Sequence, residues 1–185
     1  MPRVTSHIAR KDYPESGIKK GGKYYTWGFA FGPTCKSLTY PTRQQLTCSE
    51  FMQAVFDIDD SLSSINCIDD LESEINTAVD ELQSLADEQE EKRSNMPEGL
   101  QDAEVGQLLE ERADQLREWA DGLDSIDCYF DEEGETEEAE AVARESLDEE
   151  EDAEAFETKV QELLEEKKDE FLEEKKEEIS SLMPF

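Results

Sequence analysis

The sequence predicts a mainly α protein. Its body is a long antiparallel helical hairpin, coiled-coil-like in spacing, with a small N-terminal β-hairpin module and a C-terminal acidic amphipathic helix. Three observations predict this. Apolar residues recur every three or four positions over most of residues 51–123, and strand-like alternation is confined to residues 24–40. Charge also changes sign between the two stretches: residues 1–50 hold 8 Lys+Arg and 3 Asp+Glu, whereas residues 51–185 hold 10 and 47. The boundaries that follow are a basic β-hairpin module over 1–46, the helical hairpin over 47–128, an acidic linker over 129–152 and the terminal amphipathic helix over 153–183.

In the first segment, Tyr25, Trp27, Phe29 and Phe31 fall on one face of an extended run, and Gly32-Pro33-Thr34 breaks it before Cys35 to Tyr40. This reads as a two-stranded hairpin with one aromatic face. An isolated hairpin is marginal in water, so that face must pack on something, most economically the following helix. Lys19-Lys20-Gly21-Gly22-Lys23 reads as a flexible basic lead-in.

Pro41 ends the strand, and Thr47-Cys48-Ser49-Glu50 has the form of a capping box, so a long helix is expected to begin there. Phe51, Val55, Ile58, Leu62 and Ile65 form an apolar stripe that resumes at Ile68 after a one-residue slip near Cys67. Ser94 to Gly99 contains Asn, Pro and Gly, which stop the helix and allow the chain to reverse. The second helix then presents Val105, Leu109, Ala113, Leu116, Trp119 and Leu123 on one face. The expected helix-pairing seam is Phe51, Val55, Ile58, Leu62 and Ile65 with Leu116 and Trp119. Were it to pair between chains, the protein would be a homo-oligomer.

Residues 131–152 are dominated by carboxylates whose mutual repulsion opposes compaction, so a loose or conditionally helical linker is expected. Beyond it, Phe156, Val160, Leu163, Phe171, Leu172 and Ile179 return to helical spacing before Pro184.

The formal net charge is −32 at pH 7. Such a surface repels nucleic acid and attracts basic proteins. No apolar run is long enough for a membrane span, and no secretory h-region is present, so a cytoplasmic location is expected. Cys35, Cys48, Cys67 and Cys128 lack CxxC spacing and read as reduced, mostly packed thiols. The single His7 stands outside any catalytic motif, and phosphate-loop, dinucleotide, acyl-transfer and zinc-protease patterns are all missing. No enzyme activity, metal or cofactor is expected.

The candidate interaction surface is therefore Asp131, Glu132, Glu133 and Glu135 with Asp148, Glu149, Glu150, Glu151 and Asp152, arranged to occupy the basic cleft of a host protein by nucleic-acid mimicry. The bland counterpart is a solvated coiled coil with a structural or assembly role. The weaker alternative is direct nucleic-acid contact by the N-terminal hairpin through Lys19, Lys20, Lys23, Trp27 and Arg43.

Three stretches resemble uncharacterised proteins of tailed bacteriophages: Ala9 to Pro14 with Ile18 to Gly21 and Tyr24 to Trp27; Gln45 to Phe51; and Asn95 to Leu100 with Gly106 to Arg112. The resemblance implies a phage gene product acting in a bacterial cytoplasm and carries no established activity. In similar proteins the aromatic strand continues with basic residues, whereas Gly28-Phe29-Ala30-Phe31 has none, which weakens the nucleic-acid alternative.

Overall fold

The computed structural model describes residues 2–30, 32–146 and 153–185. Among them are three strands, β1 (Thr5–Ile8), β2 (Lys23–Gly28) and β3 (Thr34–Ser37), followed by six helices. The helices are α1 (Glu50–Ser63), α2 (Ile68–Ser94), α3 (Glu98–Gln101), α4 (Glu104–Asp124), α5 (Glu132–Ser146) and α6 (Ala153–Leu182). The chain is mainly helical, with a small antiparallel sheet at its N-terminal end, and divides into two units, Met1–Asp57 and Ile58–Phe185.

The expected two-stranded hairpin is a three-stranded sheet in the order β1-β2-β3. β1 supplies the missing strand: Thr5 pairs Thr26 and His7 pairs Tyr24, while Trp27 pairs Cys35 and Thr26 pairs Lys36 on the other side. The short polar run Thr-Ser-His-Ile carries too weak a pattern to be read as a strand, yet pairing with β2 satisfies its backbone groups. The single aromatic face is also corrected. β2 ends at Gly28, and its buried residues, Tyr24 and Trp27, lie on opposite faces. As the central strand, β2 is covered twice. Tyr13, Ile18 and Ala9 pack on Tyr24, while the Trp27 indole N–H donates to the Gln45 carbonyl at 3.0 Å. Phe29 is half-buried beyond the strand, and Phe31 lies outside the described residues.

The basic lead-in is a pinned turn rather than a flexible segment. Gly21 N–H donates to the Ala9 carbonyl at 2.8 Å, Ala9 N–H donates back to Gly22 at 2.9 Å, and the Lys20 amide donates to the Asp12 carboxylate at 2.6 Å. Gly21 has φ +86°, where a Cβ would be strained, so glycine is what permits the turn.

α1 is capped by Ser49 rather than Thr47: the Ser49 hydroxyl accepts from the Met52 amide at 3.4 Å, while Thr47 Oγ1 accepts from the Ser49 amide at 3.1 Å. The hydroxyl two positions later lies within reach of the first helical amides, so the box reading is displaced by two residues.

The single long helix expected from Thr47 to Ser94 is broken between Ser63 and Ile68. Ser64 Oγ donates to the Ser61 carbonyl at 2.8 Å and Asn66 Nδ2 to the Ser64 carbonyl at 2.6 Å, so polar side chains bond the local backbone in place of helix continuation. Cys67, with φ −139°, then leads into α2, whose first turn holds Asp69 and Asp70 against its partial positive end.

In the second unit, α2 and α4 pack together and run antiparallel, as their bridges require. Arg93 meets Glu110 at 3.2 Å, and Arg117 meets Glu90 at 2.8 Å and Asp87 at 3.2 Å. Leu71, Ile75, Leu82 and Leu85 on one helix and Leu109, Leu116, Trp119 and Leu123 on the other are buried between them. Val105, expected on the same face, is 56% exposed because the preceding turn covers Gly106 instead. A Cβ on Gly106 would stand 2.0 Å from the Gln101 carbonyl oxygen, so the α3–α4 corner closes only around glycine. The segment expected as a loose or conditionally helical linker contains α5, packed against α6 through Ala139 and Ala143, which are 5% and 0% exposed. Small side chains let the helices approach closely enough to bury a stripe that hydropathy alone does not reveal.

Candidate functional site

The predicted acidic surface is partly spent inside the chain. Asp131 caps α5, its Oδ1 accepting from the Gly134 amide at 3.2 Å. Glu132 accepts from Lys168 Nζ at 2.6 Å, and Lys167 lies 3.9 Å from Glu135. Glu132 beside it holds the Lys168 ammonium above its usual range. Glu133 remains exposed, and Asp148, Glu149, Glu150, Glu151 and Asp152 lie outside the described residues.

A larger acidic surface lies on α2 and α4, whose carboxylates are spaced rather than consecutive. The two helices carry 17 Asp+Glu against 4 Lys+Arg, and Lys92, Arg93 and Arg117 are engaged with carboxylates of the pair itself. The hydrogen bond from Arg117 draws the Glu90 carboxyl below its usual range, and Glu90 in turn holds the Arg117 guanidinium higher. The signal that could have found this surface is net charge per helix rather than the length of an uninterrupted run.

The seven predicted seam residues are all buried, between 0% and 6% exposed. They do not make one seam. Leu116 and Trp119 face the α2 stripe within the second unit, whereas Phe51 and Val55 belong to the first. Leu62, 1% exposed, is already covered within one chain and offers no free surface to a second copy.

Of the basic residues proposed for nucleic-acid contact, Lys19, Lys20 and Lys23 are exposed. Lys23 Nζ sits 5.3 Å over the Tyr25 ring and the Arg43 guanidinium 5.0 Å over Phe56. Trp27, 7% exposed and hydrogen-bonded, presents no free ring face on which a base could stack, so the structure removes it from that set.

A cavity of about 930 Å³ opens in the second unit between the starts of α2 and α5 and the middle of α6, with Cys67, Glu72, Cys128 and Lys168 in its wall. Burial, and then the Glu72 charge, push the Cys128 thiol up, so it stays protonated near neutral pH, the opposite of an activated nucleophile. The expectation of mostly packed thiols is corrected: all four cysteines are free, with Cys48 and Cys67 exposed and Cys35 and Cys128 half-buried. Among the described residues, no group of three or more His, Cys, Asp or Glu is placed to hold a metal ion, and no helix is long and apolar enough to cross a membrane.

The chain matches no family model, no curated protein and no solved structure.

Proposed function

We propose that this is a non-catalytic, phage-encoded interaction protein of the host cytoplasm that binds or inhibits a basic host protein by imitating nucleic acid. The observation that carries the reading is the charge density of the α2–α4 pair. A 27-residue helix is about 40 Å long at 1.5 Å per residue, and the pair's surplus of 13 negative charges amounts to one about every 3 Å. One DNA strand carries a phosphate about every 3.4 Å of axis. Carboxylates held on two packed helices keep their spacing, so a basic cleft shaped for a phosphate track meets a comparable field without reorganisation of the ligand.

The test is capture from nuclease-treated host lysate on the immobilised full chain, with salt elution, beside a chain carrying Asp80→Asn, Glu81→Gln, Asp114→Asn and Glu118→Gln. Recovery of a basic nucleic-acid-binding protein by the parent, lowered at least about tenfold in the variant and released by salt, supports the reading. Equal capture by both chains, or capture that resists salt, overturns it.

A further inference from the structure

The sheet of the first unit has a face that the acidic-partner reading does not use. Because paired residues of an antiparallel ladder point to the same side, the register places Thr5, His7, Tyr24, Thr26, Thr34 and Lys36 together. Tyr24 is buried at one end of this face beneath Tyr13 and Ile18. Thr5, His7, Thr34 and Lys36 are exposed and Thr26 half-exposed. The opposite face holds Trp27 and Tyr25, so away from its covered Tyr24 end the first face is the sheet's outer one.

Its chemistry is uniform. No strand contains a carboxylate, and the unit as a whole carries 8 Lys+Arg against 4 Asp+Glu. Two lysines converge at the Tyr13 end, Lys36 Nζ at 4.2 Å and Lys11 Nζ at 5.6 Å from the Tyr13 ring centroid. The His7 ring and the Thr26 hydroxyl, bonded at 2.9 Å, present a fixed set of donors and acceptors between them. Cations at one end and short hydroxyl and imidazole groups along the strands suit a polyanion whose bases also expose hydrogen-bonding edges.

We propose that this outer face binds duplex DNA. Neither tyrosine of the face is free to stack an unpaired base, Tyr24 being buried and Tyr13 lying under Lys36 and Lys11, and the exposed His7 ring is tied to the Thr26 hydroxyl, so among nucleic acids the face favours the duplex. β2 and β3, carrying Thr26, Thr34 and Lys36, make a two-stranded ribbon, which a B-form major groove about 12 Å wide admits. The deep, narrow major groove of A-form RNA does not. The surplus carboxylates belong to the other unit, and 0.1 M salt weakens the repulsion of exposed charges.

The experiment is fluorescence anisotropy of a labelled mixed-sequence duplex titrated with the full chain at 0.1 M salt, using two variants with the same change in charge on opposite faces of one sheet. Lys36→Glu is expected to weaken binding about tenfold and to lower the salt slope by about one, while Lys23→Glu, on the Tyr25 face, changes it little. Lys36→Gln, with its near-ultraviolet circular dichroism unchanged, keeps the test independent of folding. Absence of duplex binding, equal loss in both lysine variants, or tighter binding to the single strand overturns the proposal. So does a salt-sensitive dimer lost in Lys36→Glu, since that would make a second copy's carboxylates the occupant.

Discussion

The two helix pairs of the second unit meet the same difficulty in different ways. α2 and α4 carry a surplus of 13 negative charges and bury four large apolar side chains from each helix, whereas α5 and α6 carry a surplus of 12 and bury chiefly Ala139, Ala143, Leu172 and Ile179. In the first pair the apolar area far outweighs a repulsion that faces solvent, and bridges such as Arg117 to Glu90 only tune register. In the second, the smaller buried area makes Lys167 and Lys168, reaching Glu135 and Glu132, a larger share of what holds the helices together. Charge surplus is therefore compatible with helix pairing in proportion to the apolar stripe beneath it.

The sharpest way to break this contrast is Trp119→Ala. It empties a fully buried site in the α2–α4 seam and should cost about 3–5 kcal/mol in urea unfolding of the second unit, with the near-ultraviolet signal lost. Gly106→Ala comes next, because its Cβ meets Gln101 backbone; a loss of about 2 kcal/mol or more is expected, with amide exchange accelerating first around the α3–α4 corner. Salt separates the two pairs. Raising it from 0.05 to 0.5 M weakens two exposed bridges but also screens a surplus of 12 negative charges, and because the surplus outweighs the bridges amide exchange in α5 should slow, while exchange in the centre of α2 stays nearly constant.

The smallest effect belongs to the exposed bridge. Arg117→Met should cost no more than about 1 kcal/mol. Its pH dependence has a definite sign: the Glu90 carboxyl titrates lower in the folded chain than in the unfolded one, so its contribution is present above the unfolded value and fades as pH falls through the folded one. The parent should therefore lose its advantage over Arg117→Met on acidification, which paired unfolding curves at pH 7 and pH 3 would check.

Much of the helical body was legible because its signals are local and apolar. The stripe of α2, the Asn-Met-Pro stop and the face of α4 from Leu109 to Leu123 all follow from spacing. What sequence reading missed depended on contacts between distant segments or on small residues. β1 exists only by pairing with β2, and α5 is held by alanines that hydropathy counts as weak. The helix break at Ser64 to Cys67 left only a phase slip as its trace. The candidate acidic surface was read from consecutive carboxylates such as those at Asp131 to Glu135, which catch the eye, whereas the 17 carboxylates spread along α2 and α4 form no run. The outer sheet face could not be read before the third strand was known, because register decides which residues share a side.

The chain contains two tryptophans, and they fall one to each unit: Trp27 in the sheet and Trp119 in the α2–α4 pair. Both are buried, but only the Trp27 indole N–H has a hydrogen-bond partner, while that of Trp119 has none. The molecule thus carries its own pair of optical probes, with the bluer emission expected from Trp119. Two single-tryptophan chains would let each unit report its melting, and its response to an added ligand, separately and without any attached dye.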